Sequence, residues 1–373
     1  MSELMENVTR IKVFGVGGGG SNAVNNIEKR DVNNLTYYVA NTDIQALRIS
    51  KVENQILLGQ KETKGLGCGG NPAVGAKAAM EAKPLIQEAV KDADLVIVTA
   101  GMGGGTGTGA APIIAQCAKE VGALTVAVVT KPFAFEGKRR MTQAIEGIEK
   151  LREAVDCIIV VPNHKLYTIL GDVPMKDAFK QADNVLGQTI TTIIDLIGYP
   201  ALINLDFADV KSVMAGKGDA IIGVSSQDGK DTRQSIIDVA KLAAAQAISC
   251  PLLESTIEGK TSAIVNITGG YSLTAKAAEA AVETIKEAAG TEIDIIFGIA
   301  LNENLDDTII VSVIATGEKN DDSPVEVEKP KEKVETAFRQ PQARVVRQPS
   351  GVEVAKAAEK NNYPQFFTSR DRW

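Results

Sequence analysis

Short apolar runs alternate with helical segments over the first part of the chain. The runs predict strands at Ile11–Phe14, Tyr37–Ala40, Ile56–Leu58, Leu95–Thr99, Thr125–Thr130 and Cys157–Val161. This alternation is typical of a doubly wound α/β fold with a mostly parallel sheet. In such sheets ligands bind at the carboxyl ends of the strands, so we expect the loops that follow these strands to converge on one edge.

A long helix and a second α/β unit are predicted next. Residues 174–197 carry apolar or small side chains at the spacing of one helix face, at Ala178, Ala182, Val185, Leu186, Thr189, Ile193 and Leu196. Gly198 and Pro200 end this helix. The second unit has predicted strands at Ser262–Thr268, Glu292–Ala300 and Thr308–Ala315. Its predicted helices are Ile236–Ser249 and Thr274–Ala289.

The periodicity is lost after Gly317, where Pro, Lys, Glu, Gln and Val dominate, a composition that cannot build a core. We therefore expect a disordered C-terminal tail. The predicted organisation is a flexible N-terminus (1–10), a Rossmann-like domain (11–173), a central connecting helix (174–200), a second, smaller α/β domain (201–317), a disordered linker (318–361) and a partner-docking peptide (362–373).

The run Gly103–Gly109 is the most informative segment of the sequence. Five of its seven residues are glycine and the other two are Thr106 and Thr108. Without side chains, backbone N–H groups can close around an anion, and a helix expected from Ala110 adds its positive dipole end. A tight turn rarely needs so many glycines, so the segment predicts phosphate binding.

A second glycine loop follows the first predicted strand. Gly15, Gly17 and Gly20 match the dinucleotide fingerprint G-x-G-x-x-G, with a helix expected from Ala23, and Asp43 stands where that fingerprint places a ribose ligand. Alone, the loop would favour a nicotinamide cofactor. Two glycine loops in one domain favour instead a single nucleotide whose phosphates are held from two sides.

Composition narrows the function classes. The 373 residues carry a net charge of −7, which argues against nucleic-acid binding, and no apolar run reaches membrane-spanning length. The cysteines form no C-x-x-C pair and read as reduced thiols, with Cys68 expected in an accessible loop. His164 is the only histidine, which disfavours both a metal site and a Ser-His-Asp triad.

Several ordered motifs resemble the tubulin/FtsZ family of GTPases. They are Gly17–Val24, Asn41–Asp43, Gly101–Pro112, Phe135–Gly137, Pro162–Asn163, Ala182–Leu186, Asn204–Val210, Asn266–Gly270 and Ile314–Gly317. The resemblance covers about Ile11 to Gly317, and the C-terminal tail resembles the family more weakly. It implies a GTPase that polymerises head to tail in the cytoplasm and forms a ring at the midcell division site.

The resemblance also implies binding residues for GTP or GDP. The phosphate contacts would come from Gly18, Gly19, Gly20, Ser21, Asn22, Gly104, Gly105, Thr106, Gly107 and Thr108, with Asp43 nearby. Glu136 would hold the ribose, Arg140 would lie near the phosphates, and Asn163, Phe179 and Asp183 would form the guanine pocket. Mg²⁺ would be bound mainly through the phosphates rather than by protein ligands, and K⁺ is an additional candidate cation.

Catalysis is implied to come from another subunit. The phosphate loops hold no obvious Gln or acidic residue to activate a water. In the family, the segment carrying Asn204, Asp206 and Asp209 abuts the nucleotide of the next subunit, so assembly would activate hydrolysis. Such a head-to-tail contact does not close and generates open filaments.

Two departures from the family pattern affect the expected function. Cys68 stands where relatives carry a small, unreactive residue, so we expect γ-phosphate sensing to be sensitive to thiol chemistry. In the tail, Asn362 and Tyr363 precede Pro364 where relatives have Asp and an aliphatic residue. The implied partners there are membrane-tethering and regulatory division proteins, with no nucleic acid and no direct membrane insertion.

Two alternatives stay open at the level of sequence. One is a nicotinamide-dependent oxidoreductase built on the first glycine loop, although no acid/base group suited to hydride transfer is evident. The other is a structural relative that assembles without turnover, which retention of Asn204, Asp206 and Asp209 disfavours. Bound guanine nucleotide and phosphate release would distinguish the three.

Overall fold

Parallel strands flanked by helices make up the first part of the chain in the computed structural model. The structure describes residues 9–29, 32–166, 171, 173–198, 201–229, 235–249, 256–290 and 292–317. The expected N-terminal segment, the linker, the docking peptide and Cys250 lie wholly or mainly outside these described residues.

The strands are β1 (Ile11–Val16), β2 (Leu35–Asn41), β3 (Asn54–Leu57), β4 (Leu95–Gly101), β5 (Leu124–Lys131), β6 (Cys157–Pro162), β7 (Gly218–Asp228), β8 (Ser262–Gly269), β9 (Asp294–Leu301) and β10 (Thr308–Thr316). The helices are α1 (Gly17–Ile27), α2 (Ile44–Ile49), α3 (Gln60–Thr63), α4 (Pro72–Glu81), α5 (Lys83–Val90), α6 (Thr106–Glu120), α7 (Lys138–Ala154), α8 (Met175–Gly198), α9 (Phe207–Met214), α10 (Ile236–Ile248) and α11 (Ala275–Ala289). Short 3₁₀ turns lie at Ala134–Glu136, Asn163–Lys165 and Glu303–Leu305.

The strands form a 10-stranded sheet in the order β3-β2-β1-β4-β5-β6-β7-β10-β8-β9. From β3 to β6 every pairing is parallel, which is the doubly wound order expected from the sequence. The strand order reverses between β1 and β4, where such folds bind their ligands.

Both faces of this parallel region are buried. Val96 and Val98 pack with the helices on one face, including Ile114 of α6. Leu95 and Ile97 point to the other face, in the core that contains the apolar positions of α1 and α8. Burial on both sides explains why the strands read as continuous apolar runs.

The second α/β unit continues the same sheet. Strand β7 was not among the predicted strands, and it pairs in parallel with β6 over Cys157–Gly218, Ile158–Asp219 and Ile159–Ala220. It also pairs antiparallel with β10 along most of its length. Helices α10 and α11 cover this part of the sheet with alanine-rich faces. The domain boundaries expected from the sequence stay predictions.

Candidate functional site

The strands β1, β2, β4, β5 and β6 end at one edge of the sheet, because they run in the same direction. The segments that follow them begin at Gly17, Thr42, Met102, Pro132 and Asn163. We call this edge the loop edge. All the residues expected to bind a nucleotide, apart from those on α8, follow one of these strand ends.

The first glycine loop lies against the end of β4. A Cβ on Gly20 would lie 2.2 Å from the Thr99 carbonyl oxygen, and one on Gly15 would lie 2.5 Å from the Gly20 carbonyl oxygen. Only glycine permits these approaches. Gly18 differs, since a Cβ there would meet nothing within 4 Å. The loop is therefore packed on one side and open on the other.

The second glycine loop contacts the first. A Cβ on Gly17, whose φ is +70°, would lie 2.9 Å from the Gly107 backbone nitrogen. Gly103 has a φ of +96° and donates its N–H to the Thr108 hydroxyl at 2.8 Å. The open position of this loop is Gly104, where the nearest atom to a Cβ is an Arg140 Nη2 at 3.9 Å.

Both expected helix starts were wrong. Helix α1 begins at Gly17 rather than Ala23, and α6 begins at Thr106 rather than Ala110, so the glycines lie in or next to first helical turns. The first N–H groups of a helix have no partner within the helix. Two helix N-termini with these groups, and with their positive dipole ends, converge between β1 and β4, which fits phosphate.

The loop after β2 packs beneath the second glycine loop. Thr42 is fully buried, and its hydroxyl lies 2.7 Å from that of Thr106. Asp43 caps α2 by accepting the Gln45 N–H at 2.8 Å. The expectation that Cys68 is accessible was wrong, because its side chain is buried and its thiol donates to the Thr42 hydroxyl at 3.2 Å.

Glu136 and Arg140 form an ion pair at the end of β5. Glu136 accepts the Phe133 N–H at 2.8 Å through one carboxylate oxygen and pairs with the Arg140 guanidinium through the other. The carboxylate is mostly buried, while the Arg140 side chain is exposed beside Gly104. This places a positive charge next to the open part of the second glycine loop.

The residues expected to bind guanine lie between β6 and α8. Asn163 is buried, and its Oδ1 has no hydrogen-bond partner among the described residues. Phe179 is 41% exposed and packs edge-on against Phe133, with ring centroids 5.2 Å apart. A buried amide oxygen without a partner among the described residues and a partly exposed ring are groups that an aromatic, hydrogen-bonding base would satisfy.

Asp183 has an unusual environment on the same helix. Its burial raises the pKa of the carboxyl to about 6, against a smaller lowering by a hydrogen bond from the Asn22 side chain. Asn22 belongs to α1, so this contact joins the first glycine loop to α8. Ser21 beside it is buried, and its hydroxyl has no partner among the described residues.

The acidic segment forms the start of α9. Asp206 caps this helix by accepting the Asp209 N–H at 2.8 Å, and Asp209 accepts the Asp206 N–H at 3.1 Å. Asn204 is exposed and accepts the Ala201 N–H through its side-chain oxygen. The three side chains expected to be catalytic are thus brought together on one exposed turn.

This turn lies at the edge of the sheet opposite the loop edge. From Asp183 to Gly198, α8 runs away from the guanine residues over about 22 Å at 1.5 Å per residue. A hydrogen bond supports this position of α9. The Val213 carbonyl oxygen of α9 accepts the Thr316 hydroxyl at 2.6 Å, and Thr316 pairs with Ala220 near the start of β7.

Among the described residues, no three or more His, Cys, Asp or Glu side chains are grouped so that they could hold a metal ion. None of the helices described is long and apolar enough to cross a membrane.

Comparison with known proteins identifies two family regions. Residues 10–171 match the model of the tubulin/FtsZ family GTPase domain, and residues 218–319 match that of the FtsZ family C-terminal domain. A solved FtsZ dimer from M. jannaschii is 41% identical, with a TM-score of 0.78 over 84% of this chain and 90% of that chain.

More distant structures share the fold. GDP-bound CetZ1 from Haloferax volcanii is 20% identical, with a TM-score of 0.73 over 84% of this chain and 95% of that one. A protofilament of CetZ2 from the same organism, bound to GTPγS, is 19% identical, with a TM-score of 0.71 over 84% of this chain and 94% of that one.

Proposed function

Since this chain belongs to the tubulin/FtsZ family of GTPases, we propose that it assembles head to tail into filaments and hydrolyses GTP at the contact between subunits. The observation that carries the proposal is the separation of two halves of one site. The nucleotide-binding residues lie at the loop edge, and the acidic turn lies at the opposite edge.

The loop edge supplies the binding half. Backbone N–H groups of the two glycine loops, from Gly18 to Asn22 and from Gly104 to Thr108, hold the phosphates, with Arg140 beside them. Glu136 takes the ribose hydroxyls. Mg²⁺ is held mainly through the phosphates and accompanies the nucleotide, and K⁺ is a further candidate.

Asp183 selects the base. An ionised carboxylate can accept from both N1–H and the 2-amino group of guanine, whereas adenine presents no such pair of donors. Asn163, whose buried Oδ1 is unpartnered among the described residues, and Phe179 complete the pocket. This arrangement favours GTP over ATP.

The acidic turn supplies the catalytic half in trans. The run of α8 from Asp183 to Gly198, about 22 Å long, leads from the guanine residues toward this turn and supports action on a neighbouring subunit's nucleotide. In a head-to-tail contact Asp206 and Asp209 polarise the attacking water, while Asn204 orients the turn. A monomer therefore binds GTP and scarcely hydrolyses it.

Exposed apolar side chains near both halves of the site support this contact. Leu66, beside Asp43 at the loop edge, is 83% exposed. Next to the acidic turn in the sequence, Leu202 is 69% exposed and Ile203 is 41% exposed, and Phe297 is also 41% exposed. Burying two such surfaces against each other would stabilise a filament through the hydrophobic effect.

In the cell, we propose that these filaments form the ring at the midcell division site. The C-terminal segment 362–373 would dock to membrane-tethering and regulatory division proteins in the cytoplasm. The nicotinamide alternative is set aside, because both halves of the chain match models of this one family.

The decisive variant is Asp209→Ala. It should bind GTP normally, because the residue serves the neighbour's nucleotide, and its hydrolysis should fall about 10²–10³-fold through loss of the polarising carboxylate. Mixed into wild-type protein, it should also slow hydrolysis by the mixture. Phosphate release, measured against protein concentration, reports both effects, and the wild-type rate per subunit should rise with concentration.

The Asp209→Ala experiment needs a control for the loss of helix capping, because Asp209 also belongs to a capping box. Asp238 forms the same box with Ser235 at the start of α10, accepting the Ser235 N–H at 3.3 Å. Asp238→Ala should therefore lose a similar cap, worth about 1 kcal/mol, and keep its GTPase activity. An Asp209→Ala protein with a normal rate would sink the mechanism in trans.

A further inference from the structure

Three segments meet through side chains beneath the second glycine loop. The Thr42 hydroxyl lies 2.7 Å from that of Thr106, and the Cys68 thiol donates to the Thr42 hydroxyl at 3.2 Å. The thiol also lies 3.5 Å from the Thr106 hydroxyl. Thr42 is fully buried, whereas Thr106 is half-buried at the first position of α6.

The hydroxyl protons allow this chain of contacts a direction that leaves the Thr106 hydrogen available to a ligand. Each hydroxyl has one hydrogen to donate. Because the Thr42 oxygen accepts from Cys68, its own hydrogen is free to be donated to Thr106. In that direction the Thr106 hydroxyl accepts from Thr42, and its own hydrogen is left to donate to a bound ligand.

A phosphate oxygen favours this direction, because an ionised phosphate oxygen accepts hydrogen bonds and donates none. If Thr106 donated to Thr42 instead, its lone pairs would face the negative phosphate. Hydrogen bonds in such a chain also polarise one another in the same sense. The arrangement therefore suits an anion held next to Thr106.

We propose that Thr42 is a positioning residue which, with Cys68 behind it, holds the Thr106 hydroxyl as a donor to the terminal phosphate of GTP. This rests on the proposed function, in which Thr106 contacts the phosphates. The relay, defined as Cys68, Thr42 and Thr106, sets the preference for GTP over GDP, because GDP lacks the acceptor that fixes its direction.

The relay also reaches the surface expected to contact the next subunit. The Thr42 carbonyl oxygen accepts the Gly67 N–H at 3.0 Å and the Thr63 hydroxyl at 3.2 Å. Leu66, which is exposed, lies between Thr63 and Gly67 in the sequence. One buried threonine thus links the phosphate-facing hydroxyl to the segment that carries an apolar contact residue.

Nucleotide competition on the full chain tests the relay, at protein concentrations too low for assembly. GDP and a non-hydrolysable GTP analogue are compared. Thr42→Val removes the hydroxyl and should lower the affinity for the GTP analogue about tenfold, while the affinity for GDP should stay within about twofold of wild type. The difference arises because a hydrogen bond to a charged group is lost only with the triphosphate. Thr42→Ser restores the hydroxyl and should restore the analogue's affinity.

Cys68→Ala probes the relay without altering Thr42, and it carries the test if Thr42→Val fails to fold. This variant should lower the affinity for the GTP analogue more than the affinity for GDP. Cys117→Ala is the control, because it deletes another buried thiol, on α6, and it should change neither affinity. Equal effects on the two nucleotides, or Thr42→Ser behaving like Thr42→Val, would overturn the relay. Wild-type protein that binds neither nucleotide would instead refute the proposed function.

Discussion

Asp183→Asn tests whether the site trades stability for base selection. Burial raises the pKa of this carboxyl from 3.8 to about 6, so the fold disfavours its ionised form. Asparagine keeps the shape and removes the charge. We expect the nucleotide-free variant to be more stable than the wild-type protein at neutral pH, and to bind GTP more weakly.

The magnitude follows from the shift in pKa. A rise from 3.8 to about 6 corresponds to about 3 kcal/mol of destabilisation when the group is ionised. Because the side chain keeps some contact with water, we expect a gain of about 1–2 kcal/mol in the variant. Loss of the carboxylate should cost about 1–3 kcal/mol in GTP binding, since the guanine donors lose a charged acceptor.

The raised pKa also determines how the stability difference between Asp183→Asn and wild type changes with pH. Below the unfolded pKa near 4 the carboxyl is protonated in both states and burial carries no charge penalty. The penalty develops between about pH 4 and pH 6 and is complete above the folded pKa. The stability gain of Asp183→Asn should therefore appear as pH rises through this window. Wild-type GTP affinity should fall as pH drops below about 6, and that of the variant should not.

Chemical denaturation without nucleotide, and nucleotide binding from pH 5 to 8, measure the two effects. Asp177→Asn is the matched control, because Asp177 is an exposed acidic residue in the first turn of the same helix. Its loss should slightly destabilise the protein through the helix dipole and leave GTP binding unchanged. If Asp183→Asn were no more stable than wild type at pH 7, or bound GTP equally well, the reasoning would be refuted.

Further predictions concern the glycine loops and the tail. Gly18→Ala should fold with unchanged or slightly higher thermal stability, because a Cβ there meets nothing within 4 Å, but should lose nucleotide affinity. Gly109→Ala places a Cβ 2.1 Å from the Pro72 carbonyl oxygen and should lower stability by about 3 kcal/mol, measured by denaturation. Truncation after Lys360 should preserve GTPase activity and polymerisation but remove midcell ring attachment. A truncated protein that still formed functional rings, or lost GTP hydrolysis, would contradict the docking role.

The sequence predicted the parallel strands well, for a physical reason. Strands such as β4 are buried on both faces, so their apolar runs are uninterrupted and easy to recognise. Strand β7 was missed because its burial alternates and its residues include Gly218, Asp219 and a polar end. Half-exposed strands of mixed composition carry a weaker signal.

Helix starts were misplaced because composition and conformation disagree locally. Glycine is a poor helix former in isolation. In α1 and α6, however, close contacts with neighbouring backbone hold the first turns in place, as for Gly20 against Thr99 and Gly107 against Gly101. Such contacts depend on residues distant in the chain, which propensity does not include.

The sequence by itself determined the α/β class, because apolar periodicity is a local property. Its ordered motifs resembled the family, and that resemblance implied the candidate site residues. Tertiary structure decided what each residue touches. It buried Cys68 against Thr42, raised the pKa of Asp183 by partly removing it from water, and paired Asp206 with Asp209 at the start of α9. Hydrogen bonding, desolvation and distance are set by segments that meet only on folding, so no local pattern could have given them.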